Sequence, residues 1–308
     1  MKIIFASNSS FGEQVLERIM ESNATPSVLI TSSDKKRGRG KKERSLPIKD
    51  LALEKDLKVR EVDSQEELHE KVKEEAPDMV VVASFGIMIP SETLDLSYFI
   101  NIHPSLLPKY RGATPIQGAI LNGDEKSGTT IIEMNEKMDA GPILGQTEVS
   151  LHPKITYKEA EELLAKKGGD LLVELLPSIK KGELKASPQE EEKATYTKVL
   201  DKKDGKVDWN EPAALIERKV RALNPQPGVH SKIEDKRMKI LEAEIQEQTG
   251  DGPFGPPGKI YLGTNDALAV QTGKDFLLIK RLQIEGGNPV NSKDFIQGNM
   301  NIMGTVLS

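Results

Sequence analysis

The chain has 308 residues, 37% of them hydrophobic and 30% charged, which is the composition of a globular protein with room for two domains. No apolar run is long enough to cross a membrane, and the opening MKIIFA is too short for a signal-peptide core, so we expect a cytoplasmic protein without a membrane partner. The absence of cysteine excludes disulfides, thiolate zinc sites and a cysteine nucleophile. The net charge of −5 argues against a uniformly basic nucleic-acid-binding protein.

Short apolar runs alternate with amphipathic stretches over the first part of the chain. Strands are predicted at 2–5, 27–30, 57–62, 78–84 and 98–103, and helices at 11–22, 47–55 and 64–75. Strands that alternate with helices need crossover connections, which predicts a Rossmann-like α/β domain with a mostly parallel sheet.

The pattern changes in the second half of the chain. The sequence predicts a helix at 115–122, an edge hairpin from 128–134 and 141–151, a helix at 156–176 ended by Pro177, and a charged, exposed connection at 178–204. After a helix near 211–223, short strands separated by turn residues predict a smaller β-barrel (OB-like) domain. We therefore expect a catalytic domain at 1–185, a linker at 186–204 and a C-terminal β-barrel domain at 205–308.

A nucleotide cofactor is the first ligand to consider for such a sheet. The first strand leads into ASNSSFGEQ, which lacks the G-x-G-x-x-G that lets a backbone approach a pyrophosphate, and no G-x-x-x-x-G-K-[ST] occurs. These absences argue against a dinucleotide or P-loop site.

The stretch NIHPSLLPKYRGATPIQGAI, residues 101–120, carries the best candidate site. Among four histidines, only His103 falls at the predicted ligand edge of the sheet, and Asn101 points to the same face. Two such donors can hold the oxyanion of an acyl-transfer intermediate, although a structural strand end before Pro104 has the same spacing. Asp139 in MDAGP is either a turn former or a carboxylate that orients His103.

These residues resemble a known family. NIHPSLLPKYRGATPIQGAI followed by MDAGPIL is similar to the signature of folate-dependent formyltransferases, and SFGIMIP resembles their pterin-binding segment. RGRGKK, the stretch from YTKVLDKKDGKVDW to ALNPQPG, and LQIEGGNPVNSKDFIQG resemble the branch that acts on methionyl-tRNA. Two departures are ASNSSFG, where this branch usually has a Gly-Thr-Pro segment, and Pro142, where Asp is common.

The resemblance implies a mechanism. Asn101, His103 and Asp139 would be catalytic: the first two would hold the oxyanion, while Asp139 fixes the imidazole and assists proton transfer. The donor, 10-formyltetrahydrofolate, would bind at two loops, with contacts from Phe85, Gly86, Met88, Ser105, Leu106, Leu107 and Pro108. The formyl group would pass to initiator methionyl-tRNA, without a metal, in a protein that we expect to be a monomer.

The basic segment KKRGRGKKER, residues 35–44, allows two interpretations. On composition alone it is a solvated charge run. With the resemblance, Arg37, Arg39, Lys41 and Lys42 would bind acceptor-stem phosphates of tRNA.

Two alternative functions share parts of this pattern. A sugar-nucleotide N-formyltransferase would use the same folate donor and the same three residues but would not need the basic segment. A catalytically silent RNA-binding protein would need the basic segment but not the three residues.

Overall fold

The chain forms two compact units. The computed structural model describes residues 1–22, 24–37, 42–248 and 255–308, with the backbone alone at 35–37 and 42–44. Unit 1 comprises Met1–Pro115, Glu125–Leu151 and Lys158–Lys198, and unit 2 comprises Ile116–Asp124, His152–Tyr157 and Val199–Ser308. The domain boundaries given above stay a prediction.

The described elements up to residue 198 are, in chain order, β1 (Ile3–Ala6), α1 (Ser10–Met20), β2 (Val28–Thr31), β3 (Lys35–Arg37), β4 (Lys42–Arg44), α2 (Pro47–Glu54), β5 (Lys58–Glu61), α3 (Gln65–Glu75), β6 (Met79–Val82), α4 (Ser91–Leu94), β7 (Tyr98–His103), β8 (Arg111–Gly112), α5 (Pro115–Asn122), β9 (Lys126–Glu133), β10 (Ile143–Ser150), α6 (Tyr157–Lys181) and β11 (Tyr196–Thr197).

A seven-stranded sheet organises unit 1, with the order β10-β9-β7-β6-β1-β2-β5. The pairs β1/β2, β2/β5, β1/β6 and β6/β7 are parallel, whereas β9 and β10 form an antiparallel hairpin at the edge. The predicted α/β class and the predicted edge hairpin are confirmed. Because the strand order reverses at β1, the carboxyl ends of β1 and β6 flank the crevice where open α/β sheets bind ligands.

The buried residues of β6 and α3 are those that the apolar patterns of the sequence predict. Every residue of β6 is at most 5% exposed, as expected for an uninterrupted apolar run covered on both faces. In α3, Leu68 and Val72 are fully buried at the i, i+4 spacing of one helix face, and Ser64 caps the helix by accepting the Glu67 N–H at 3.2 Å. The helix therefore packs its apolar face against the sheet core.

The end of α6 differs from the prediction. The helix continues through Pro177 to Lys181, so the expectation that Pro177 ends it is wrong. Leu172 and Leu176 are buried just before the proline, and this burial offsets the lost backbone hydrogen bond. Gly182, with φ +68°, then provides the left-handed conformation that commonly ends a helix.

The charged stretch after α6 is more ordered than its composition indicates. Ser187 forms a bridge with Ile143, and β11 pairs in parallel with β8. Most side chains of this stretch are exposed, but the backbone of residues 187–197 is hydrogen-bonded to the rest of unit 1.

Unit 2 is built on an antiparallel sheet. Its remaining elements are α7 (Ala213–Leu223), β12 (Val229–Ile233), β13 (Lys236–Gln246), β14 (Ile260–Leu262), β15 (Leu268–Gln271), β16 (Phe276–Ile284), β17 (Val290–Asn291) and α8 (Ser292–Gln297). The strand order is β12-β13-β16-β15-β14, and β17 pairs with β16.

The carboxyl-terminal residues close this sheet. Lys232 on β12 exchanges backbone hydrogen bonds of 2.7 and 3.1 Å with Ser308, while Ile260 on β14 donates to Thr305 at 2.9 Å. Since the two edge strands are joined through one short segment, the sheet closes on itself, in agreement with the predicted β-barrel.

Candidate active site

The first part of the site lies on β7. β6 and β7 are parallel neighbours, so the loops at 83–90 and 104–110 leave the same edge of the sheet. Asn101 and His103, two residues apart on β7, lie on one face of that strand. His103 is only 4% exposed, and its Nε2 lies 2.9 Å from the carbonyl oxygen of Tyr110. A carbonyl oxygen only accepts, so this ring nitrogen carries the hydrogen.

Asp139 joins these two side chains from the loop between β9 and β10. Asn101 Nδ2 donates to Asp139 Oδ1 at 3.1 Å, and His103 Nδ1 lies 3.7 Å from the same oxygen. Asp139 Oδ2 accepts the backbone N–H of Gly112 at 2.8 Å. An amide, an imidazole and a carboxylate therefore converge on one place, while the catalytic role of these residues stays a prediction. At 3.7 Å, the imidazole nitrogen and the carboxylate oxygen are too far apart for a direct hydrogen bond.

The segment Ser105–Pro108, predicted to contact folate, is shaped by a buried threonine. Thr130 Oγ1 donates to the Ser105 carbonyl at 2.6 Å and accepts the Leu107 N–H at 3.1 Å and Gln146 Nε2 at 2.9 Å. Gln146 also donates to the Leu107 carbonyl at 2.7 Å. Ser105 and Leu107 are buried, while Leu106 and Pro108 are half-buried. Thr130 is not among the predicted site residues, because a threonine inside a strand carries no functional signal.

The second predicted folate loop follows β6. Phe85 is 3% exposed and packs in the sheet core, Gly86 adopts φ +81°, and Met88 is 70% exposed. Asn8, also missed by the sequence analysis, donates its amide hydrogen to the Phe85 carbonyl and accepts the Ser32 N–H at 2.7 Å. Asn8 thus links the loops that follow three adjacent strands.

The basic segment lies after β2. β3 and β4 form an antiparallel hairpin in which Arg37 is opposite Lys42. Arg39 and Lys41 lie outside the described residues. The hairpin follows the carboxyl end of β2, one strand away from β1 in the sheet.

Two further properties concern the described part of the chain. No group of three or more His, Asp or Glu side chains among these residues is arranged to hold a metal ion. None of the described helices is both long enough and apolar enough to cross a membrane.

Known proteins resemble both units. The formyl transferase family matches residues 1–176, and the formyl transferase C-terminal domain family matches residues 199–300. A methionyl-tRNA formyltransferase of Caldanaerobacter subterraneus subsp. tengcongensis is 35% identical over 100% of both chains. One of Sulfurihydrogenibium sp. (strain YO3AOP1) is 36% identical over 97% of each chain.

Solved structures resemble the fold at low sequence identity. HypX from Aquifex aeolicus in complex with tetrahydrofolic acid superposes with a TM-score of 0.69 at 19% identity, over 96% of this chain and 47% of that chain, so this chain spans about half of its length. An N-formyltransferase from Helicobacter canadensis, in complex with folinic acid and dTDP-3-aminofucose, gives a TM-score of 0.65 at 17% identity over 91% of this chain and 98% of that chain. Both relations show the fold alone, whereas the full-length relatives above show that the chain belongs to the methionyl-tRNA formyltransferase family.

Proposed function

We propose that the protein transfers the formyl group of 10-formyltetrahydrofolate to the free amino group of methionyl-tRNA, which produces N-formylmethionyl-tRNA for translation initiation. The observation that carries this proposal is the approach of Asn101 and His103 to one oxygen of Asp139, at 3.1 and 3.7 Å, in a chain with full-length relatives of that name. A cytoplasmic monomer remains our prediction for its state in the cell.

The three side chains suit the charges that develop in acyl transfer. Attack by the methionyl amine on the formyl carbon forms a C–N bond and leaves negative charge on the formyl oxygen. Asn101 stabilises this charge with the amide hydrogen that it does not donate to Asp139, and His103 does so by redirecting its Nε2 hydrogen from the Tyr110 carbonyl to the formyl oxygen. Asp139 orients the imidazole and accepts a proton from the attacking amine. Through water, that proton reaches the folate nitrogen as its C–N bond breaks. Because His103 is buried, its interactions act in a medium of lower dielectric constant than bulk water and are stronger there.

The folate donor would contact the loops that follow β6 and β7. Phe85, held in the core, supports the first loop from inside, while Gly86 and Met88 are exposed on it. The second loop contributes the segment Ser105–Pro108, including Leu106 and Leu107, which Thr130 holds in a defined shape.

The tRNA would meet the basic segment. Arg37, Arg39, Lys41 and Lys42 supply cations that bind acceptor-stem phosphates, and such contacts release counterions, so binding weakens as salt rises. The position of the hairpin after the carboxyl end of β2 supports this role, because the predicted folate loops leave the same edge of the sheet.

A direct comparison of acceptors tests the substrate. The protein is given the labelled folate donor with either charged initiator tRNA or a nucleotide-linked amino sugar. We expect label in the tRNA alone; labelling of the sugar alone would reject the proposed acceptor in favour of a sugar-nucleotide N-formyltransferase.

Replacement of His103 tests the mechanism. His103→Ala should lower the transfer rate by about 10²- to 10³-fold, because one oxyanion donor is lost. Binding of tRNA should change by no more than a few fold, since the basic segment is intact. His152→Ala, at an exposed histidine, is the control and should keep the parent rate. An unchanged rate in His103→Ala would remove this residue from the mechanism.

A further inference from the structure

The segment 187–197, which follows α6, lies on the loops that carry the candidate site. Ser187 and Ile143 exchange backbone hydrogen bonds of 2.7 and 2.8 Å. Near the other end of the segment, the Thr195 carbonyl accepts the Arg111 N–H at 2.8 Å, and β11 pairs with β8. The segment is therefore fixed at one end to the start of β10 and at the other end to β8.

A buried arginine holds this segment in place. Arg111 is 1% exposed and donates to both carboxylate oxygens of Glu191 at 2.9 Å, to Gln189 Oε1 at 3.0 and 3.1 Å, and to the Tyr196 hydroxyl at 3.1 Å. The hydrogen bonds with Glu191 are the main cause that raises the pKa of Arg111. Separation of the segment from the loop would leave a buried guanidinium without partners, which is strongly unfavourable.

The same arginine determines the orientation of the Gln189 amide. A guanidinium only donates, so the amide oxygen of Gln189 must face Arg111 and the amide nitrogen must point the other way. That nitrogen donates to the Asp139 carbonyl at 2.8 Å and to the Gly141 carbonyl at 2.7 Å. The contacts therefore run from Arg111 through one amide to the backbone of Asp139.

The backbone of Asp139 needs such support. Its φ of +51° lies in the left-handed region, which costs free energy for any residue other than glycine and which persists where the surroundings hold it. The two hydrogen bonds from Gln189 hold the backbone at Asp139 and at Gly141, and the conformation at Asp139 aims the carboxylate at Asn101 and His103.

We propose that Gln189 is a positioning residue for the transfer reaction, because its amide fixes the turn that keeps the Asp139 carboxylate between Asn101 and His103. This inference rests on the catalytic role proposed above for Asp139. The segment between α6 and α7 therefore takes part in catalysis and also connects the two helices.

Two substitutions at this position test the proposal. Gln189→Glu keeps the length of the side chain and an acceptor for Arg111, but it places a carboxylate oxygen against two carbonyl oxygens. Gln189→Ala removes the side chain altogether. Since a misplacement of about 1 Å can cost about 10²-fold in rate, we expect kcat to fall by about 10- to 100-fold in both variants. The KM values for folate and tRNA should stay within about threefold, since neither substrate loses a contact. Glu192→Gln, at an exposed neighbour in the same segment, is the matched control and should keep the parent kcat.

A double-mutant cycle separates positioning from a general structural role. In an Asp139→Asn background, Gln189→Ala should lower the single-turnover rate by less than about threefold, because the group that it positions is already lost. A full additional loss in that background, or a parent-like kcat in both Gln189 variants, would overturn the inference. If Asp139→Asn alone keeps the parent rate, the catalytic role of Asp139 is wrong, and that result can be distinguished from a failure at Gln189.

Discussion

Thr130 offers a test of how the chain builds its second predicted folate loop. Its side chain is fully buried, and its hydroxyl makes three hydrogen bonds: to the Ser105 carbonyl, to the Leu107 N–H and to the Gln146 amide. Thr130→Val keeps the shape of the side chain but removes all three. The buried Leu107 N–H then loses the Thr130 hydroxyl as its hydrogen-bond acceptor.

The expected loss of stability follows from these contacts. A hydrogen bond contributes about 1 kcal/mol net, so three lost bonds should lower the free energy of unfolding by about 2–4 kcal/mol. If about 1.4 kcal/mol of that loss also appears in folate binding, the KM for folate rises about tenfold.

Its neighbour provides the control. Thr129 is equally buried but lies on the opposite face of β9, where its hydroxyl donates a hydrogen bond of 2.8 Å to the Leu164 carbonyl. Thr129→Val should therefore cost about 1 kcal/mol and leave the KM for folate unchanged. Urea unfolding and formyl-transfer assays at varied folate concentration measure both effects. Equal stability losses in the two variants, together with a parent-like folate KM in Thr130→Val, would refute the reasoning.

Two further substitutions have clear expectations. Gly112→Ala would put a Cβ 2.4 Å from the Thr197 carbonyl oxygen at a φ of +108°, so we expect it to lower both the melting temperature and the transfer rate. Gly182 also has a positive φ, but no atom of the described residues would lie within 4 Å of an added Cβ, so Gly182→Ala should lower stability by about 1–2 kcal/mol without affecting the rate. Lys58, Arg60 and Lys2 lower the pKa of Glu75 from 4.5 to about 2, and hydrogen bonding by Lys58 is the largest cause. Because the pKa of Glu75 is lowered only in the folded state, its ionised form adds at most about 3 kcal/mol to the free energy of unfolding above pH 4.5. This contribution is lost as the pH falls towards 2. Unfolding measured across that range should show this slope in the parent and a smaller one in Glu75→Gln; equal slopes would contradict the assignment.

Much of unit 1 could be predicted because its elements differ in the period of their apolar residues. The uninterrupted run of β6 and the i, i+4 pair of α3 lead directly to a covered strand and an amphipathic helix. The end of α6 could not be predicted from Pro177. Proline disfavours a helix locally, but the burial of Leu172 and Leu176 outweighs this preference. That burial depends on tertiary contacts, which a local pattern does not contain.

The candidate site was predictable to different extents. Asn101 and His103 share a strand, so alternation alone puts them on one face. Asp139 belongs to a loop after another strand, and its approach to them depends on a left-handed turn and on hydrogen bonds from Gly112 and Gln189. Resemblance to a family could point to Asp139, but only the fold shows which groups hold its carboxylate and its backbone.

The loop after β1 departs from the family pattern in sequence, but it makes specific contacts with neighbouring loops. Where this branch usually has Gly-Thr-Pro, the chain has Asn8, whose side chain reaches the loops after three strands. Its oxygen accepts from the Ser32 N–H at 2.7 Å and the Thr31 hydroxyl at 3.1 Å, and its nitrogen donates to the Phe85 carbonyl. The amide therefore connects β1 to the ends of β2 and β6, at the point where the strand order reverses. Because a single side chain supplies these links, the unusual loop is tied to the predicted folate loop rather than left free beside it.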